Sequence, residues 1–349
     1  MRKNLKGTGL LTLFVALSLL LTLGAAEAKE KLVVSTWGFA YDIFKKTVQE
    51  PFEKKYDCEI VYEFGNNADR LAKLRMFKNN PRVDVVQMTD YFTETMAQEG
   101  LLAKLDYARK LTNYKHLYDF AKNPTGAGYG PAYTVSRFGL VYRADKVQKP
   151  LTSFHDLWRP DLAGHIALPE LSTTQGPMFL AMVAKASGVS LKDDNAIFAK
   201  LKTLKPAVVK FYSKSSELIN MFERGEVWVA PAQQLVMDGL LKAVPSATWV
   251  DPKEGSVAVV NTINVVAGSK HTDLALKYID FMLSQEAQYE NAVKVNDSPV
   301  NRLVKIPAAE AKTLTVGEKM IDSLITLDWN FVNSQRDKWL DRWNREIAN

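Results

Sequence analysis

The chain has 349 residues, 45 Lys and Arg against 39 Asp and Glu, a formal charge of +6 and 47% hydrophobic residues. Its basic residues are scattered and often alternate with acidic ones, which reads as a solvated surface and excludes nucleic acid as a partner class. A single cysteine, Cys58, excludes an internal disulfide and leaves stability to burial.

At the N-terminus Arg2, Lys3 and Lys6 precede an apolar run from Leu10 to Leu23 and the small-residue site Ala26-Glu27-Ala28. This is the pattern of a secretory signal cut after Ala28. No cysteine stands at the cut, so a soluble periplasmic protein is expected rather than a lipoprotein. Removing the segment takes the formal charge from +6 to +4 and leaves 321 residues, enough for two lobes of ordinary size.

From residue 29 onward strands and helices alternate. Leu32 to Trp37 reads as a buried strand, Ile43 to Lys54 as an amphipathic helix, and Cys58 to Tyr62 as a second strand with a buried thiol. A helix from Ala68 to Lys78, a strand from Val83 to Met88 and a helix from Tyr91 to Gln98 repeat the pattern. Such alternation predicts an α/β fold with a mostly parallel sheet, whose ligand sites form at the carboxyl ends of strands. Near Pro131 the rhythm changes: a strand from Phe138 to Tyr142 leads into turn-rich sequence, where the chain is expected to cross between lobes. His165 to Pro169, helices from Gly176 to Ala186 and from Asp194 to Leu204, and a strand from Val227 to Ala230 then build the second lobe. The β-rich run from Ser256 to Ala267 returns the chain. Helices follow at Leu274 to Leu283, Ala287 to Val295 and Asn333 to Ile347, the last with Trp339 and Trp343 on one face.

Reactive groupings are absent from this pattern. His116, His155, His165 and His271 have no metal-type spacing, and Gly126-Ala127-Gly128-Tyr129-Gly130 does not join a strand to a helix as a phosphate loop must. A binder is expected rather than an enzyme.

Several stretches resemble the periplasmic spermidine/putrescine-binding, polyamine-type family of ABC transporter solute-binding proteins. They are the opening strand ending in Trp37, Asp84-Val85-Val86 with Tyr91-Phe92, Leu111-Thr112-Asn113, Ser153 to Pro160, Phe222 to Val227, and Pro252-Lys253-Glu254-Gly255. The resemblance implies the two-lobed periplasmic-binding-protein fold (type II), with residues 29–134 and 264–305 in lobe 1 and residues 135–263 and 306–349 in lobe 2. It also implies a small polar solute in the cleft, an inner-membrane ABC permease as partner, a monomer, and no metal or cofactor.

In that family ammonium groups meet carboxylates between aromatic rings. Trp37 and Tyr91 match two stacking aromatics, with core packing as the alternative, and Asp90 stands beside Tyr91. The family's acid after the Pro-Lys-Glu-Gly stretch falls on Asn261 and its tryptophan on Val259, while a late aromatic position falls on Asp297. Of the second-lobe acidic region only Glu170 is acidic. Two other features suit an anionic or zwitterionic solute. One is Ser172-Thr173-Thr174-Gln175-Gly176 before a helix, which is otherwise an ordinary N-cap. The other is Arg137 at the crossing, otherwise a surface ion pair. An enzyme would need Glu170 with Asp297 as its acid–base pair, and a ferric-iron binder would need clustered tyrosines such as Tyr91, Tyr133 and Tyr142.

Overall fold

The computed structural model describes residues 29–38 and 40–348, so the expected signal segment lies outside the described residues. In chain order the strands are β1 (Glu30–Thr36), β2 (Cys58–Phe64), β3 (Val85–Thr89), β4 (Ala132–Arg143), β5 (Ile166–Pro169), β6 (Val208–Tyr212), β7 (Val229–Gln233), β8 (Ala247–Val250), β9 (Val257–Val265) and β10 (Ser298–Pro299). The helices used below are α1 (Asn67–Met76), α2 (Asp90–Gln98), α3 (Gln175–Ala186), α4 (Ser215–Glu223), α5 (Thr272–Met282), α6 (Gln285–Val295) and α7 (Trp329–Trp343).

These strands form one sheet in the order β2-β1-β3-β9-β4-β7-β5-β6, with β8 and β10 also on β4. Its two ends are parallel, β1 with β2 and β3, and β5 with β6 and β7. Both ends fit the expectation, because crossover helices bury both faces of such strands and permit the near-continuous apolar runs seen at Leu32 to Val34 and Val85 to Met88. The centre is antiparallel: β9 pairs with β3 and β4, and β4 pairs with β7. The sheet is therefore mixed, and β4 and β9 are the two long strands that run between its halves.

Each half has its own packing. Leu32, Val34, Phe52, Val85, Ile263 and Ile279 pack in one cluster, and Tyr212, Phe222, Ala230 and Leu240 in another. A larger cluster includes Met88, Phe138, Leu168 and Phe179, and takes in Trp339 and Trp343 of the C-terminal helix, 2% and 1% exposed. The four-residue spacing of those tryptophans thus marks a core-facing stripe. Cys58 is buried, and burial raises its thiol above the ordinary range.

The short motifs that carry the resemblance are joints of this scaffold. Asp84 accepts from the Val33 N–H and the Ser269 hydroxyl, at 2.9 and 2.7 Å. Asn113 donates its N–H to Asp280 at 2.8 Å. Glu254 accepts from the Ser153 hydroxyl and the Phe154 N–H, tying two motifs a hundred residues apart. The Phe222 carbonyl accepts from Arg143 at 2.9 Å.

Candidate functional site

A cleft of about 420 Å³ opens where strand ends from both halves converge. Parallel strands leave this gap at their carboxyl ends because successive crossovers diverge there. One wall comes from the ends of β1, β2 and β3 through Thr36, Trp37, Tyr62, Phe64, Gln87 and Thr89, joined by Tyr41 and Phe44 and by Tyr278 of α5. The facing wall comes from Thr173, Thr174 and Gln175 at the start of α3, Ser213 and Ser215 at the start of α4, and Gln233 at the end of β7. The crossing strands supply the floor with Tyr133, Ser136, Val259 and Asn261.

Aromatic rings dominate the first wall, and they brace one another. Tyr41 meets Tyr62 and Phe64 edge-on at centroid distances of 5.8 and 5.1 Å, while Tyr62 and Phe64 stack at 5.8 Å. The Tyr62 and Tyr278 hydroxyls lie 3.3 Å apart. Behind Trp37 the guanidinium of Arg70 sits 4.6 Å from the ring centroid. Arg70 is fully buried and donates to the carbonyls of Ser35, Gly65 and Gln87, which ties α1 to the ends of β1 and β3. Desolvation lowers its pKa to about 10, which leaves it charged at neutral pH.

Asp297 is the one charged side chain among the described residues that line the cleft. Its place is set locally. Helix α6 ends at Asn296, which takes a left-handed φ of 60° and turns the chain into β10, a conformation that Asn tolerates at a helix end. Ser298, next in sequence, pairs with Val135 of β4. The Asp297 carboxyl accepts from the Thr134 hydroxyl, and burial pushes it up to about 7. It still presents part of its surface to the cleft. Asn261, opposite Thr134 in the β4–β9 register, donates to that hydroxyl at 2.9 Å. Asn261 therefore stands second in a relay that orients the carboxylate.

Of the residues expected at the ligand, the cleft brings together Trp37, Thr173, Thr174, Asn261 and Asp297. Four others lie elsewhere, each for a physical reason. Tyr91 is 4% exposed and packs against Phe92 and Trp329 at 4.8 and 5.4 Å, because α2 begins at Asp90 and carries both residues away from Thr89. Asp90 is also buried, accepting from the Tyr91 N–H at 2.9 Å and from Trp329. Burial raises its carboxyl to about 7 as well. Arg137 follows Ser136 on β4 and points to the other side of the strand. It is 5% exposed, bonded to Asp251 at 2.5 and 3.2 Å, to Gln234 at 2.6 Å and to the Leu314 carbonyl and Thr315 hydroxyl at 3.0 Å. Neither the anion grip nor the surface ion pair expected of it describes this buried joint. Ser172 is exposed and outside the lining.

The alternative sites are not assembled either. Glu170 is not among the lining residues, so it forms no pair with Asp297 in the cleft. Tyr91 and Tyr142 stand apart from Tyr133. Burial holds the Tyr62 hydroxyl at about 12 and raises Tyr133 and Tyr278 well above the ordinary value, which opposes phenolate ligation. Sequence reasoning did not find Tyr41, Tyr62, Phe64 or Tyr278, whereas Gln175 stands in the Ser172 to Gly176 loop it singled out. Tyr62 and Phe64 lie at a strand end as Trp37 does, a usable signal, whereas Tyr278 lies mid-helix with none.

Residues 47–313 match the family described as bacterial extracellular solute-binding protein. The chain is similar to the spermidine/putrescine-binding periplasmic protein of Escherichia coli K12, 27% identical over 279 residues, 76% of this chain and 78% of that one. It is also similar to the thiamine-binding periplasmic protein of the same strain, 26% identical over 344 residues, 95% of this chain and 97% of that one. Among solved structures it resembles an ABC transporter protein of Clostridium perfringens with a TM-score of 0.81 and 42% identity, covering 91% of this chain and all of that one.

Proposed function

The chain belongs to the family of bacterial extracellular solute-binding proteins of ABC transporters, and from that premise we propose that it captures a small organic amine, with Asp297 as the counter-charge. The observation that supports this reading is the single carboxylate set among aromatic rings, with no cationic side chain lining the cleft among the described residues. A desolvated ammonium needs an opposite charge, and ring faces add attraction along its alkyl part. An arriving ammonium offsets the penalty that burial places on the charged Asp297 carboxyl, which alone is pushed up to about 7. The acid-binding reading rested on Arg137 and the Ser172 to Gly176 loop; Thr173, Thr174 and Gln175 of that loop line the cleft, but the guanidinium that would balance an acid is engaged by Asp251, Gln234 and Leu314.

Trp37, Thr173, Thr174 and Asn261 join Asp297 in the proposed site, with the aromatic wall of Tyr41, Tyr62 and Phe64. In this reading residues 29–134 with 264–305 and residues 135–263 with 306–349 act as two bodies. They close about β4 and β9, and the ligand stabilises the closed form by touching both walls. The family implies a membrane permease as the receiver. We place the protein in the periplasm as a soluble monomer without a catalytic step. Its curated relatives are periplasmic, and among the described residues no helix is long and apolar enough to cross a membrane.

Thermal-shift screening against amines, amino acids, phosphonates and sugar phosphates tests the reading. A ligand at roughly 100 times its Kd adds about 2.7 kcal/mol. Stabilisation by amines, lost in Asp297→Asn, is the expected outcome, and stabilisation by acids alone would refute it.

A further inference from the structure

The charge count of the cleft says more than that an amine binds there. Apart from Asp297, its described lining consists of aromatic and aliphatic side chains, hydroxyls and amides, with no other Asp or Glu and no Lys or Arg. The acids that a second ammonium would need stand elsewhere. Asp90 is 8% exposed and accepts from the Tyr91 N–H and Trp329. Glu170 lies outside the lining. Asn261 carries no charge, and its amide donates to Thr134.

A second ammonium in this cleft would rest on neutral dipoles alone. A buried charge without an opposite charge is heavily penalised, whereas a neutral polar group needs only hydrogen bonds. The facing wall supplies those through the hydroxyls of Thr174, Ser213 and Ser215 and the amide of Gln233, which donate and accept. Resting on the amine reading above, we infer that the solute carries one cationic nitrogen and a neutral hydrogen-bonding tail, so that a monoamine alcohol or amide is held in preference to a diamine or triamine. The ammonium pairs with Asp297, the alkyl segment lies along the rings, and the tail reaches the starts of α3 and α4. This narrows the polyamine expectation to a ligand charged at one end.

The test is a calorimetric titration of the protein with four probes of one chain length: aminooctanol, diaminooctane, octylamine and aminooctanoate. Each is also titrated into Asp297→Asn. The expected result is that aminooctanol binds at least about tenfold more tightly than diaminooctane, with octylamine weaker than aminooctanol, and that all three weaken in the variant. Diaminooctane binding as tightly as aminooctanol, or more tightly, overturns the single-charge inference and leaves the amine reading standing. Aminooctanoate binding most tightly overturns it too, because the far end is then anionic. Failure of every amine to bind removes the amine reading itself, and this inference with it.

Discussion

Two carboxyls in this protein experience similar burial and end in different roles. Asp90 and Asp297 are both pushed up to about 7 by desolvation. Asp90 lies against the C-terminal helix, where the indole of Trp329 and the Tyr91 N–H donate to it. Asp297 has the Thr134 hydroxyl, and one side of it faces the cleft. Burial alone therefore does not mark a binding group. What separates the two is whether protein donors have already answered the charge, and the carboxyl left open toward a cavity is the one a cation can complete.

Exchanging these acids one at a time gives the largest expected contrast. Asp297→Asn should weaken amine binding by about 100-fold or more, because the ligand's charge is then buried unpaired. Asp90→Asn should change affinity by less than about threefold, since its side chain is outside the lining and is held by the Tyr91 N–H and Trp329. Isothermal titration of both variants would break the comparison if Asp90→Asn proved the more damaging.

A second expected effect concerns Arg137, which sequence placed at the ligand. Arg137→Gln takes the guanidinium away from Asp251, Gln234 and the Leu314 carbonyl, which keep only their weaker neutral donors from Trp249 and Ser256, Thr315 and Gln234, at a cost of about 1–3 kcal/mol. A lowered Tm with near-normal affinity in the folded fraction is expected. Lost affinity at unchanged Tm would restore it to the ligand site.

Smaller effects sharpen the account of Asp297. Its folded carboxyl titrates above its unfolded value, so the folded protein binds more protons between about pH 4 and pH 7 and loses stability as pH rises through that window. Above about pH 7 the ligand-free Asp297→Asn protein should be more stable than the parent by about 1–2 kcal/mol, and below about pH 4 the difference should vanish. Denaturant unfolding at both ends of the range checks the sign. On a similar scale, Trp37→Ala should cost about fivefold to twentyfold in affinity, the contribution of one ring face against a cation.

The sequence made the fold legible because its motifs are structural. Asp84, Asn113, Ser153 and Glu254 of those motifs each close a particular joint. The antiparallel centre was less visible, because β4 begins with Ala132 to Arg137, where polar and apolar residues mix and no apolar run announces a strand. Within the site, residues at strand ends were readable and residues beyond them were not. Trp37 sits one residue past β1 and lines the cleft, whereas Tyr91 sits two residues past β3, by which point the helix has turned it inward. Arg137 failed for a different reason: strand alternation decides which face a side chain takes, and a one-residue error reverses the answer.

The central claim, that Asp297 in its charged form holds the ligand, is tested most directly by titrating the tightest amine from the screen at several pH values between about 5.5 and 8. Affinity is expected to be full above about pH 7 and to fall by up to tenfold per unit below it, with Asp297→Asn weak and flat throughout. Affinity that stays constant across this range, or a variant that follows the same curve as the parent, would contradict it.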